Sequence, residues 1–159
     1  MTADVITATM REALETPGRQ ATVRRLRDWQ HRVHGLYDDV QAVLGSEYTY
    51  DRDGKQRSAE DRVQLAGLSE DDVPPVDILR VGRAGRVVAQ FLPRMLWMIG
   101  ANGRIDLFVM PSTGGRQFFM LIDRSAPLSN LSDWRLVRPA MDPLAHPPFR
   151  PERLHELLE

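Results

Sequence analysis

Four glycine–arginine dipeptides, Gly82-Arg83, Gly85-Arg86, Gly103-Arg104 and Gly115-Arg116, carry the most suggestive spacing in the chain. A guanidinium is planar, always charged, and grips a carboxylate or phosphate through two parallel hydrogen bonds. Each dipeptide falls where a turn is expected, and the N–H groups of turns add their own anion-binding concavities. In an antiparallel meander alternate connections share one end of the sheet. Turns at 82–85, 93–94, 101–103 and 111–115, with a loop at 125–133, would gather Arg83, Arg86, Arg104 and Arg124 on one rim. Arg94 and Arg116 would mark the other. The first rim is the expected site for an anion or an acidic partner. The plainer alternative is that these arginines keep a sheet edge in water or pair with the chain's own carboxylates.

Other constellations compete with this one. Gly82-Arg83-Ala84-Gly85 resembles the Gly-x-x-Gly loop of KH domains, which implies a clamp by those four residues on a single-stranded nucleic-acid backbone, set between two helices. Thr49, Asp51, Asp53, Gly54 and Glu60 are similar in spacing to an EF-hand calcium loop. Thr49 replaces its first carboxylate and Arg57 puts a cation where a ligand belongs, so the expectation is an Asp-Gly turn closing a hairpin of 48–50 with 55–57. His31, His34 and Asp38 share a helix face and could offer two imidazoles and a carboxylate for acid–base or metal chemistry. Arg27 and Arg32 disfavour a cation there, and the glutamate of a zinc-binding helix is missing, which favours a solvated face. No Gly-x-Ser-x-Gly elbow or Walker loop occurs, and the absence of cysteine removes thiolate nucleophiles, disulfides and zinc-thiolate sites. No catalytic residue, cofactor or metal ligand is assigned.

The elements that must position these residues can be read from apolar spacing. A short helix is expected from Asp4 to Thr16, stopped by Pro17-Gly18. From Gln20 to Gly45, Leu26, Trp29, Val33, Leu36, Val40 and Val43 recur at steps of three and four, one stripe of an amphipathic helix. Gly35 interrupts it, predicting either a bend or a close approach. The span Asp38–Asp77 has eleven acidic residues against four basic ones, so 46–75 reads as an acidic, solvated connector with a short helix at 59–65. Strands are predicted at 76–81, 87–92, 95–99, 105–110, 117–122 and 134–137 from their β-branched and aromatic content and their Gly, Pro and Asn separators. After Pro139 the prolines favour an extended course, and Pro151 opens a short helix to Leu158. The expected fold is α+β: N-terminal helices (1–45) on an antiparallel five- or six-stranded meander (76–137), then an extended tail and short helix (138–159), all in one domain.

Composition narrows the function classes. The chain has 159 residues and a formal net charge of −1, which argues against a uniformly basic nucleic-acid coat. Its longest apolar run, 87–101, is broken by Gln90, Pro93 and Arg94, so no membrane span is expected, and nothing at the N-terminus reads as a secretion signal. A soluble cytoplasmic protein is the expectation. Twenty of the 21 basic residues are arginine, a bias that genome-wide codon usage explains as well as anion binding does. Phe118-Phe119-Met120-Leu121-Ile122 is apolar on both strand faces, which calls for helices on both sides or for self-association. The favoured function is a non-catalytic module, an accessory or regulatory subunit that binds another protein. The alternatives are nucleic-acid binding through the arginine rim, helped by Arg24, Arg25 and Arg27, and a small enzyme built on the His/Asp face.

Overall fold

The computed structural model describes residues 3–138 and 146–159. Two helices, α1 (Ala3–Leu14) and α2 (Arg19–Leu44), precede a six-stranded antiparallel sheet, and α4 (Arg153–Leu158) ends the chain, an α+β fold. The sheet order is β1 (Thr49–Asp51), β4 (Leu79–Arg83), β5 (Arg86–Met95), β6 (Arg104–Val109), β7 (Gln117–Asp123), β8 (Trp134–Val137). Two minor strands, β2 (Lys55–Gln56) and β3 (Val76–Asp77), pair with each other, and α3 (Asp61–Leu65) lies between them in sequence.

The stripe of α2 covers one sheet face, as its spacing predicts. Leu26, Trp29, Val33, Leu36, Tyr37 and Val40 are buried in one cluster with Leu79, Phe91, Leu107, Leu121 and Leu136. Burying each such side chain contributes about 1.5–3 kcal/mol, which is what holds helix to sheet. Tyr37 also donates from its hydroxyl to the Asp77 carbonyl (2.8 Å), with the Phe91 carbonyl at 3.3 Å as a second, weaker acceptor, so its polar tip is satisfied in the core. Gly35 needs no close neighbour: a side chain there would meet nothing within 4 Å. The other sheet face is half-exposed at Leu92, Phe108, Phe118 and Met120, with Arg116 lying 4.2 Å over the Phe108 ring. No described helix is long and apolar enough to cross a membrane.

Several expectations about the sheet and its connections are corrected. Pro93-Arg94 is not a turn: β5 runs through it to Met95, with a register shift between Pro93 and Met95. A bulge tolerates a residue with no N–H, so the proline bends the strand instead of ending it. The predicted strand at 95–99 is therefore mostly loop, anchored where the Glu60 carboxylate accepts from the backbone N–H groups of Leu96 and Trp97. The acidic 46–75 segment is not simply solvated, because it supplies edge strand β1 and buries Tyr48, Val63, Ala66, Leu68 and Val73. Residues 48–50 and 55–57 do not pair with each other, since β1 joins β4 while β2 joins β3. The opposite edge, β8, is covered by the segment around Pro148, where Leu136 donates to Pro147 and Phe149 donates to Trp134. Expectations for 139–145 lie outside the described residues.

Asn102-Gly103 is likewise no tight hairpin but a buried corner. Gly103 has a φ of 119°, and a Cβ there would run into the Trp29 ring, so glycine is what lets α2 sit this close.

Candidate functional site

Removing a turn at 93–94 changes which connections share an end. The β4–β5 turn and β6–β7 loop now lie at one end, and the β5–β6 and β7–β8 loops at the other. Arg83 and Arg86 are register partners across the β4–β5 turn. Arg104 pairs in register with Met95 and Ile122, and Arg124 follows Asp123 at the end of β7, so both belong to the far end. The expected four-arginine rim is divided. Arg104 Nε donates to Asp106 Oδ1 at 2.8 Å, and Arg94 also pairs with Asp106. Arg124 donates to the Gly100 carbonyl (3.0 Å) and contacts His146 Nδ1 (2.8 Å). Gly82–Gly85 joins two strands rather than two helices, which removes the KH-like reading.

At the far end the sequence hides a buried polar network. Arg25 and Arg32 are 5% and 6% exposed, although a residue of each kind is normally solvated. Arg25 grips the Glu12 carboxylate of α1 from Nε (2.6 Å) and Nη2 (3.1 Å), and donates from Nη1 to Asn102 Oδ1 (2.6 Å). Arg32 pairs with Asp28 from Nε (2.8 Å) and donates from Nη1 to Asp123 Oδ2 (2.6 Å) and the Asn102 carbonyl (2.8 Å). Its Nη2 has no hydrogen-bond partner among the described residues, a cost set against those pairs. Asp123 Oδ1 in turn accepts from the N–H groups of Ser125 and Asp133, both at 2.9 Å. Thr22, Arg25, Trp29, Arg32 and Leu36 fall at steps of three and four, the spacing of the apolar stripe itself, and that was the signal that these arginines face inward.

This network fixes the walls of a groove. Glu12 bridges Arg25 and the Trp97 indole N–H (3.2 Å), while Thr9 Oγ1 accepts from the Gly100 N–H (2.8 Å). Helix α1 buries only Val5 and Thr9, so polar contacts rather than a broad apolar face locate it. Between α1, α3 and the 96–101 loop lies a cavity of about 290 Å³, lined among others by Ala13, Leu65, Trp97, Met98 and Ile99. Leu65 is 73% and Ile99 64% exposed at its lip, and Leu14, between lining residues Ala13 and Glu15, is 86% exposed.

The histidine face is only partly assembled. His34 Nε2 accepts from the Asp77 N–H (3.0 Å), which makes Nδ1 the protonated nitrogen. The Asp77 carboxylate takes Arg52 Nε (2.8 Å) and Lys55 Nζ (2.5 Å), and Arg52 also reaches Asp38 (2.8 Å). Burial disfavours a charged Asp77, but those two donors outweigh it and hold its pKa below the ordinary carboxylate value. Burial likewise lowers His34, with the charge of Asp77 opposing it. His31 is exposed and does not join this cluster. Of the calcium-loop residues, Glu60 holds the 96–97 backbone and Asp51 accepts from Asp53 N (2.8 Å) and lies 3.8 Å from Arg80. Among the described residues no group of three or more His, Asp or Glu is arranged to hold a metal ion.

No protein-family model matches the chain, and no curated protein or solved structure matches it.

Proposed function

We propose that this chain is a non-catalytic interaction module, an accessory or regulatory subunit that binds another protein through the groove between α1, α3 and the 96–101 loop. The observation that carries this reading is the exposure of Leu65 and Ile99 in the lining of a concavity whose walls are pinned by polar contacts. Contiguous exposed apolar surface around a preformed cleft marks interaction sites more often than it marks idle surface. The occupant we infer is a short apolar segment flanked by basic residues. At the rim, Glu15 and Asp61 form no ion pair among the described residues, while the Arg62 guanidinium is turned over the Trp97 ring at 5.9 Å. The nucleic-acid alternative no longer has four arginines on one rim, and His31, His34 and Asp38 of the His/Asp alternative do not line this groove.

A photo-crosslinking residue placed at Leu65 or Ile99 should capture the same partner, whereas one placed at Val87, at the opposite end of the sheet, should not. Leu65→Glu should abolish capture from position 99 while leaving the melting temperature unchanged, since Leu65 is 73% exposed. Equal capture from Val87, capture from position 99 that survives Leu65→Glu, or crosslinking only to a second copy of this chain would each overturn the reading.

A further inference from the structure

At the other end of the sheet, a second cleft of about 420 Å³ opens between the β4–β5 turn, the start of the β6–β7 loop and α4. Its floor is apolar: Tyr48, Val88 and Leu158 are buried and Met110 is half-buried. Its rim carries Arg83 and Arg86. The turn between them, Ala84-Gly85, has φ of 50° and 76° at its two positions, as a tight two-residue hairpin requires, and this sets the two arginines directly opposite each other. Like charges facing across a strand pair repel.

Four other arginines of the sheet meet carboxylates: Arg80 meets Asp51, Arg94 and Arg104 meet Asp106, and Arg135 meets Asp133. Neither Arg83 nor Arg86 forms an ion pair among the described residues, and no acidic residue lines the cleft. Arg83 is already oriented, its guanidinium 5.3 Å over the Tyr48 ring and its Nη1 3.4 Å from the Tyr48 hydroxyl, which leaves its other donors open. An anion between the two guanidinium groups would relieve their repulsion, and the floor beneath would take an apolar body. We propose that this cleft binds a small organic carboxylate with an apolar tail, the carboxylate held by Arg83 and Arg86 and the tail lying on Val88, Met110 and Leu158.

The test is a methyl-resolved NMR titration of the full chain with octanoate, octanol and acetate. Octanoate should shift Val88, Met110 and Leu158 saturably and bind at least about tenfold tighter than octanol or acetate, since charge-assisted hydrogen bonds and apolar contact act together. Arg86→Gln should weaken octanoate about tenfold, with an unchanged melting temperature because Arg86 is exposed. Binding of octanol as tight as that of octanoate, an unaltered affinity in Arg86→Gln, or no saturable shift at the three methyl-bearing residues would overturn the proposal.

Discussion

The two ends of the sheet put one residue type to opposite uses. At the far end Arg25 and Arg32 are buried and gripped by Glu12, Asp28, Asn102 and Asp123, so their charges hold α1, α2 and the loops in register. At the β4–β5 end Arg83 and Arg86 are exposed and meet no carboxylate among the described residues. A charge in the interior must be compensated or it destabilises the fold, whereas an exposed one is cheap to leave open. Arginine content alone therefore says little. What decides is whether the backbone brings a carboxylate to the same place.

That contrast can be broken most forcibly at Asp123. Asp123→Ala leaves the Arg32 guanidinium buried without its 2.6 Å partner, and a loss of about 3–5 kcal/mol in urea-unfolding free energy is expected. A loss below about 1 kcal/mol would mean that the network does not hold this end together.

A smaller effect belongs to the His34–Asp77 cluster between the ends. Both groups titrate below their ordinary values in the folded chain. A folded pKa below the unfolded one gives stability that is present above the unfolded pKa and is lost as pH falls through the folded value. The His34 part should thus begin to fade below its unfolded value of 6.5, and the Asp77 part only near and below 3.8. His34→Gln keeps an acceptor for the Asp77 N–H, so it should flatten the decline of unfolding free energy just below pH 6.5 and leave the more acidic limb in place. An unchanged slope below that pH would remove His34 from the account.

Much of the architecture was legible in the sequence because it rests on periodicity. The stripe from Leu26 to Val40, strands β6 to β8, and the leucines of α4 all lie where their spacing puts them. The errors arose where a local signal met a tertiary contact. Pro93 reads as a break, but a bulge absorbs it. Asn102-Gly103 reads as a hairpin turn, but Arg25, Arg32 and Trp29 draw it into the interior. Asp53-Gly54 reads as the turn of a hairpin between 48–50 and 55–57, but β4 offers 49–51 an edge and β3 takes 55–56 instead. Because the expected rim depended on counting turns, one missed bulge sent Arg104 and Arg124 to the opposite end. The groove was not legible at all, since its parts come from α1, α3 and a loop more than 80 residues from α1, and only the fold brings them together.

The division of labour between the two ends is tested most directly by urea unfolding of Arg32→Met beside Arg86→Met. Arg32→Met should lose about 3 kcal/mol or more, because Asp123 stays buried without its cation, while Arg86→Met should stay within about 0.5 kcal/mol of the parent. Equal losses, or a larger one for Arg86→Met, would contradict the account.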